Sequence, residues 1–221
     1  MTMRITFEDV KNNKVVQTYI KKADESLSAL GYTEHSFPHV SRVAFVARDI
    51  LLTLGYDKRE AELAQIAGYL HDIGNVINRV DHAQSGAVMA FRILDHMGAD
   101  PEDIATIITA IGNHDESTAF PVNPIAAALI IADKTDVRDS RVRNQDIATF
   151  DIHDRVNYAV KRSEVRVAKG SHIELEISID NNMCTVMDYF EIFLHRMMLC
   201  RKAAEKLGLE FWLIINGQRV I

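Results

Sequence analysis

Six residues with the chemistry of metal ligands are spread along this chain: His39, the adjacent pair His71-Asp72, His82, His114 and Asp133. Neutral imidazole suits mid- and late-row divalent metals, while carboxylates add negative charge and can bridge two ions. Two ions about 3.5–4 Å apart can bind phosphate oxygens together with a bridging hydroxide, which is the chemistry of phosphoester hydrolysis. Spacing alone does not define such a cluster, because the chain has nine histidines to choose from. Local context is more telling. Asp72 and Asp133 each finish a strongly apolar run, the second being Ala126 to Ala132. A carboxylate buried at such a place needs a cation or a hydrogen-bonding partner.

The elements that must bring these residues together read as helices. Val15, Val16, Tyr19, Ile20, Ala23 and Leu27 recur at three- and four-residue steps and predict a helix over Asn12–Leu30, stopped by Gly31. Pro38 suits the first turn of a second helix that ends near Gly55. A third is predicted from about Lys58 to Asp72 and closed by Gly74, and a fourth from Asp81 to Met97. Asp100-Pro101-Glu102-Asp103 opens a fifth, and Asn123-Pro124 opens a sixth that reaches about Lys134. Each candidate ligand lies at or near a helix end or first turn, as bundles require when they build a site from facing helices.

After about residue 160 the period changes. Ile173, Leu175, Ile177 and Ile179 alternate with Glu174, Glu176, Ser178 and Asp180, the pattern of a half-buried strand. Thr185 to Lys206 is helical again, and Leu209 to Ile215 is strand-like. The expected organisation is an N-terminal helical segment (1–35) packing on a helical metal-binding domain (36–160), followed by a small C-terminal α/β appendage (161–221). The fold class is mainly α, a helical bundle with that appendage.

Composition narrows the function. A formal net charge of -6 supplies no global basic field, so a dedicated nucleic-acid partner is not expected. No apolar run approaches about 18 residues, so no membrane-spanning helix is expected, and Met1 to Val10 does not read as a leader. Cys184 and Cys200 lack metal-binding spacing and read as buried free thiols. A cytoplasmic setting is the default.

The order His39, His71-Asp72, His82, His114, Asp133 resembles the HD superfamily of metal-dependent phosphohydrolases. Tyr69-Leu70-His71-Asp72-Ile73-Gly74 is similar to that family's central motif, and His39-Val40-Ser41-Arg42-Val43 to its first-helix histidine. His82-Ala83-Gln84-Ser85-Gly86-Ala87 resembles the extra ligand of two-metal members, and Ile130-Ile131-Ala132-Asp133-Lys134 the closing Asp motif. The resemblance implies an HD-domain helical bundle in which His39, His71, Asp72 and Asp133 surround a first metal, with Asp72 bridging and His82 and His114 holding a second. It implies one or two divalent transition-metal ions (Fe, Mn, Co, Ni or Zn) and a small phosphorylated substrate such as a nucleotide. The pattern is most similar to the bacterial branch that splits symmetrical diadenosine tetraphosphate. Departures weaken other branches: Asn75 stands where many relatives carry Lys, and His114-Asp115-Glu116 replaces the His-His-Glu of cyclic-di-GMP-cleaving members. Asp72 is expected to orient metal and water, with Lys134 or Arg138 offsetting charge on the phosphoryl oxygens.

Two rival readings stand beside hydrolysis: a catalytically silent HD-fold sensing or interaction module, and an oxygenase on a related di-iron bundle. His35, His96, His153, His172 and His195 lack supporting context and read as structural or surface residues. Asp136 and Asp139 read as diluting the cationic stretch Lys134, Arg138, Arg141 and Arg143. Met183, Met187, Met197 and Met198 read as core or homodimer packing, and the appendage either caps the pocket or builds a dimer.

Overall fold

Capping residues set the helix boundaries in the computed structural model, which describes residues 4–221. The first three residues of the expected N-terminal segment lie outside them. A short helix not foreseen, α1 (Phe7–Lys11), is opened by a capping box between Thr6 and Asp9. Helix α2 (Lys14–Ala29) starts on Asn13, whose side chain accepts from the amides of Val15 and Val16. Helix α3 (Phe37–Leu54) carries Pro38 in its first turn and ends on Gly55 in the left-handed conformation. Asp57 and Glu60 form a reciprocal capping box at the start of α4 (Lys58–Leu70). Beyond it lie α5 (His82–His96), α6 (Pro101–Gly112) and α7 (Pro124–Lys134). Asp100 and Asn123 cap the last two, each followed by proline at the first helical position.

The third predicted helix is shorter than expected. α4 stops at Leu70, His71 is its C-cap, and Ile73–Val76 form a 3-10 turn. Gly74 does not simply close the helix. A Cβ there would fall 2.0 Å from the His82 carbonyl oxygen and 2.5 Å from the Gly86 nitrogen. The absent side chain is what lets the start of α5 seat against the His71-Asp72 turn. Gly68 acts likewise between helices, since its Cβ would lie 2.8 Å from the Ala44 backbone; α3 and α4 therefore approach closely enough for His39 to meet His71.

Helices α3, α4, α6 and α7 pack on one another, and α7 is the central rod. Every residue from Ile125 to Ala132 is buried, which explains why that run shows no amphipathic period. Buried side chains form one continuous cluster from Ile5 to Ile215.

The C-terminal part contains more structure than the sequence revealed. Helix α8 (Ile152–Ala159) leads directly into β1 (Val160–Ala168), which pairs antiparallel with β2 (His172–Ile179). Helix α9 (Val186–Lys206) then crosses back so that β3 (Glu210–Ile215) lies parallel to β2, and β4 (Gln218–Arg219) closes the far edge. Strand β1 escaped detection because Arg162, Glu164 and Arg166 give it a charged outer face, matched across the sheet by Glu174 and Glu176. Helix α9 packs on α7 and on β3, joining the sheet to the bundle. Of the methionines expected in core or homodimer packing, Met197 lies in the core and Met187 is exposed. Both cysteines are free and buried. No helix among the described residues is long and apolar enough to cross a membrane.

Candidate metal centre

All six candidate ligands arrive at one place, and local structure explains how each is aimed. His39 lies in the first turn of α3, just after Pro38. His71 and Asp72 leave the end of α4. His82 begins α5 directly after Asp81, a non-glycine residue in the left-handed region (φ 56°, ψ 27°) that turns the chain into the helix. His114 follows the C-cap of α6, and Asp133 sits in the last turn of α7. His39 and His71 are fully buried, Asp72, His82 and His114 are at most 4% exposed, and the Asp133 side chain is 12% exposed.

The Nε2 atom of His39 lies 3.3 Å from that of His71, 3.5 Å from Asp72 Oδ2 and 3.5 Å from Asp133 Oδ1. His71 Nε2 is 3.2 Å from Asp72 Oδ2. On the other side, His82 Nε2 is 3.5 Å from Asp72 Oδ1 and 3.2 Å from His114 Nε2. The two oxygens of Asp72 thus face two separate groups of imidazoles. Three overlapping sets of donor atoms are close enough to share an ion: His39/His71/Asp72, His71/His114/Asp133 and Asp72/His82/His114.

The opposite ring nitrogens decide what these imidazoles offer. His71 Nδ1 donates to Gly68 O (2.8 Å), His82 Nδ1 to Arg79 O (3.0 Å) and His114 Nδ1 to Ile111 O (2.6 Å). A carbonyl oxygen can only accept, so each Nδ1 must carry the proton and each Nε2 of the neutral ring presents a lone pair inward. His39 Nδ1 is held by the carboxylate of Asp136 at 2.8 Å. Four lone pairs and two carboxylates directed at one buried point repel one another unless a cation lies among them. The donor set therefore fits a divalent metal, and the Nδ1 contacts are the outer partners that fix ligand tautomers.

Electrostatics agree. Burial alone would lower the His71 imidazole, but the Asp72 and Asp133 carboxylates overturn it and hold the group up to about 10 without a metal. Burial, with the charges of His71 and Lys134, pushes His114 down to about 3. Burial would raise Asp72, yet the His71 charge and the His39 and His71 contacts hold it well below the usual carboxylate range. Positive charge is what this centre attracts.

Residues 37–151, just over half of the sequence, match the HD domain family. The chain belongs to the HD domain family. HD domains bind divalent metals and are in general metal-dependent hydrolases. The chain is also similar to an uncharacterized protein of Methanocaldococcus jannaschii, 24% identical over 201 residues that cover 80% of this chain and 77% of the relative. Among solved structures it is similar to a predicted HD superfamily hydrolase from an uncultured Thermotogales bacterium. That match is 27% identical and covers 57% of this chain and 68% of the other, with a TM-score of 0.44.

A cavity of about 280 Å³ opens onto the HD centre and is lined by Asp72, His82, His114 and Asp133. Lys134, expected to meet substrate, lines it too, with Nζ 2.6 Å from Asp133 Oδ2. Arg138 does not line it. Its guanidinium is committed in bidentate fashion to Asp136, at 2.6 and 3.0 Å, so the expectation that Arg138 faces substrate is not met. The cavity's arginines are instead Arg79, Arg141 and Arg196.

Sequence reasoning missed three further features. Asp136 is no surface acid diluting a charged stretch: it is 2% exposed and receives His39, Arg42 and Arg138 at once. Its spacing, three residues past Asp133 at a helix end, was the available signal. His35 and His153, read as structural or surface residues, both line the cavity. The His35 ring meets that of His39 edge-on, with centroids 5.3 Å apart, and its Nδ1 is held by Thr33 O at 2.6 Å. Of the two roles expected for the appendage, facing the pocket is met by α9, which contributes Phe193 and Arg196 to the wall, while α8 adds His153, Asp154 and Asn157.

Proposed function

We propose that this HD protein is a metal-dependent phosphohydrolase that cleaves a phosphoester or phosphoanhydride bond of a nucleotide or other small phosphorylated metabolite. The observation that carries this reading is the inward set of Nε2 lone pairs around Asp72, each fixed by an outer acceptor at Nδ1. His39, His71, Asp72 and Asp133 would hold one ion, and Asp72, His82 and His114 a second. A divalent ion bound there supplies Lewis acidity and lowers the pKa of coordinated water towards neutrality.

The chain's own residues do the rest. Asn75 donates its amide to Asp72 Oδ1 and to the Asp72 carbonyl, both at 2.9 Å, which fixes the carboxylate between the two sets of imidazoles. Asp136 orients His39, and against its burial the His39 contact and the Arg138 and Arg141 guanidiniums keep that carboxylate ionised. Lys134, buried beside Asp133, has further ammonium donors with which to offset charge growing on phosphoryl oxygens. The depth of the centre excludes bulk water and strengthens these interactions.

The test is elemental analysis of the purified protein together with a phosphatase and phosphodiesterase screen in Mn, Fe, Co, Ni or Zn. Stoichiometric metal and turnover of a phosphorylated substrate are expected. Full metal content with no turnover across a broad nucleotide and sugar-phosphate panel would contradict the reading and favour a silent sensing module.

A further inference from the structure

The four imidazoles of the centre differ in how far their outer nitrogens reach for a partner. His71, His82 and His114 each donate Nδ1 to the carbonyl three residues earlier, that of Gly68, Arg79 and Ile111 respectively. Those partners belong to the same turn as the ligand and need nothing from the rest of the fold. His39 is the exception. Its Nδ1 meets the carboxylate of Asp136, 97 residues further on, at 2.8 Å. The aim of His39 is therefore only as good as the placement of Asp136.

Arg42 helps to set that placement. It lies three residues after His39 on the same face of α3, and its Nε is 3.0 Å from Asp136 Oδ1 while His39 takes Oδ2. The same guanidinium donates through Nη2 to the carbonyl oxygen of Ser163 in β1. Ser163 in turn donates its hydroxyl to Thr135 O at 2.6 Å, the carbonyl of the peptide that leads into Asp136. These contacts close a ring through β1, the end of α7 and α3. Arg138 and Arg141 also reach Asp136, but both come from the segment just after it, whereas Arg42 ties it to the sheet.

A local irregularity in β1 makes the ring possible. The β1–β2 register slips between Val160 and Arg162, and Val160 and Ser163, three residues apart, share the buried face. A regular two-residue period from Val160 would turn Ser163 to the charged outer face. The bulge thus aims the one hydroxyl of β1 at the end of α7.

Resting on the metal-binding part of the reading above, we propose that Arg42 and Ser163 are positioning residues for the His39 side of the centre: the seating of β1 sets Asp136, and Asp136 sets His39. The His82–His114 side rests on its own turns and does not depend on the sheet. Strand β1 begins at Val160, beyond the residues that match the HD family, so one side of the centre draws its support from outside that match.

The experiment uses the full-length protein loaded with Co(II), whose paramagnetism moves the ring N–H protons of liganding imidazoles to resolved positions in the proton NMR spectrum. Asp136→Asn identifies the His39 signal as the one it displaces. Arg42→Gln removes the bridge at a side chain that is 34% exposed, so the fold should survive, and Ser163→Ala removes the hydroxyl contact. Both are expected to displace or broaden the His39 signal and leave the others unmoved. By chelator competition, Co(II) should bind about tenfold more weakly in Arg42→Gln and several-fold more weakly in Ser163→Ala. No displacement in Arg42→Gln, or equal displacement of every imidazole signal, overturns the inference, because the second result is general loosening. An unchanged spectrum and affinity in Ser163→Ala overturns the part assigned to the sheet. Wild-type protein that takes up no cobalt would sink the metal centre and this inference together, whereas normal cobalt binding without turnover of any phosphorylated compound would sink only the phosphohydrolase reading.

Discussion

The two ends of the cavity are built on opposite principles. At the metal end Asp72 and the four imidazoles are buried, and each imidazole is fixed through its outer nitrogen by a carbonyl or by Asp136. At the outer wall, where α8 and α9 meet solvent, His153 is exposed and Arg196 is 29% exposed with terminal donors unengaged. The buried end can hold an ion because nothing there is free to turn away. At the outer wall the terminal donors of Arg196 remain available. The clustered imidazoles and carboxylates lie in the part that matches the HD family, whereas Phe193 and Arg196 of α9 lie outside it.

Substitutions at the two ends should differ in what they destroy. Asp72→Ala removes the carboxylate that faces both imidazole groups. It is expected to abolish turnover and bound metal while circular dichroism remains helical; retained activity would refute the site. Gly74→Ala places a methyl against the His82 carbonyl. Overpacking of this kind costs about 1–3 kcal/mol, so a lower melting temperature and reduced metal content are expected together. Asp136→Asn keeps the shape but loses the charge behind His39, and removal of such an outer partner lowers metal affinity by about 10–100-fold. A titration with a chromogenic chelator reads that change.

Acidity sharpens the contrast further. Without metal, His71 is held up to about 10, above its ordinary 6.5, so folding takes up a proton there. That stabilisation is complete below about pH 6.5 and is lost as the pH rises through about 10. His114 has the opposite sign: pushed down to about 3, it destabilises the fold as the pH falls from 6.5 through that value. Metal-free protein should therefore lose stability on the alkaline side, and metal, which replaces the His71 proton, should suppress that loss and bind more tightly as the pH rises. Thermal melts from pH 6 to 10 with and without metal check both statements. The smallest effect belongs to Arg138→Ala. Because Arg138 serves Asp136 and does not line the cavity, melting temperature should drop slightly while KM stays unchanged.

The metal end was legible in the sequence because its residues are marked locally. His39 follows a proline, Asp133 ends an apolar run, and caps and prolines punctuate the helices that carry them. The outer wall carried no such marks. Arg196 and Phe193 sit on a helix whose apolar side chains look like ordinary packing, and His153 has no neighbour of distinctive type. Their meeting depends on α9 crossing between parallel strands, a long-range arrangement that periodicity does not encode. Asp136 was hidden for a different reason. Its neighbours Lys134 and Arg138 suggested a solvated charge run, and only burial shows that the charges compensate one another inside the protein.

X-ray absorption at the metal edge of the loaded protein tests the central claim most directly. A first shell of nitrogen and oxygen with outer-shell scattering from several imidazoles, and no sulfur, is the predicted result. A shell without imidazole, or protein that retains no divalent metal after purification and reconstitution, would contradict it.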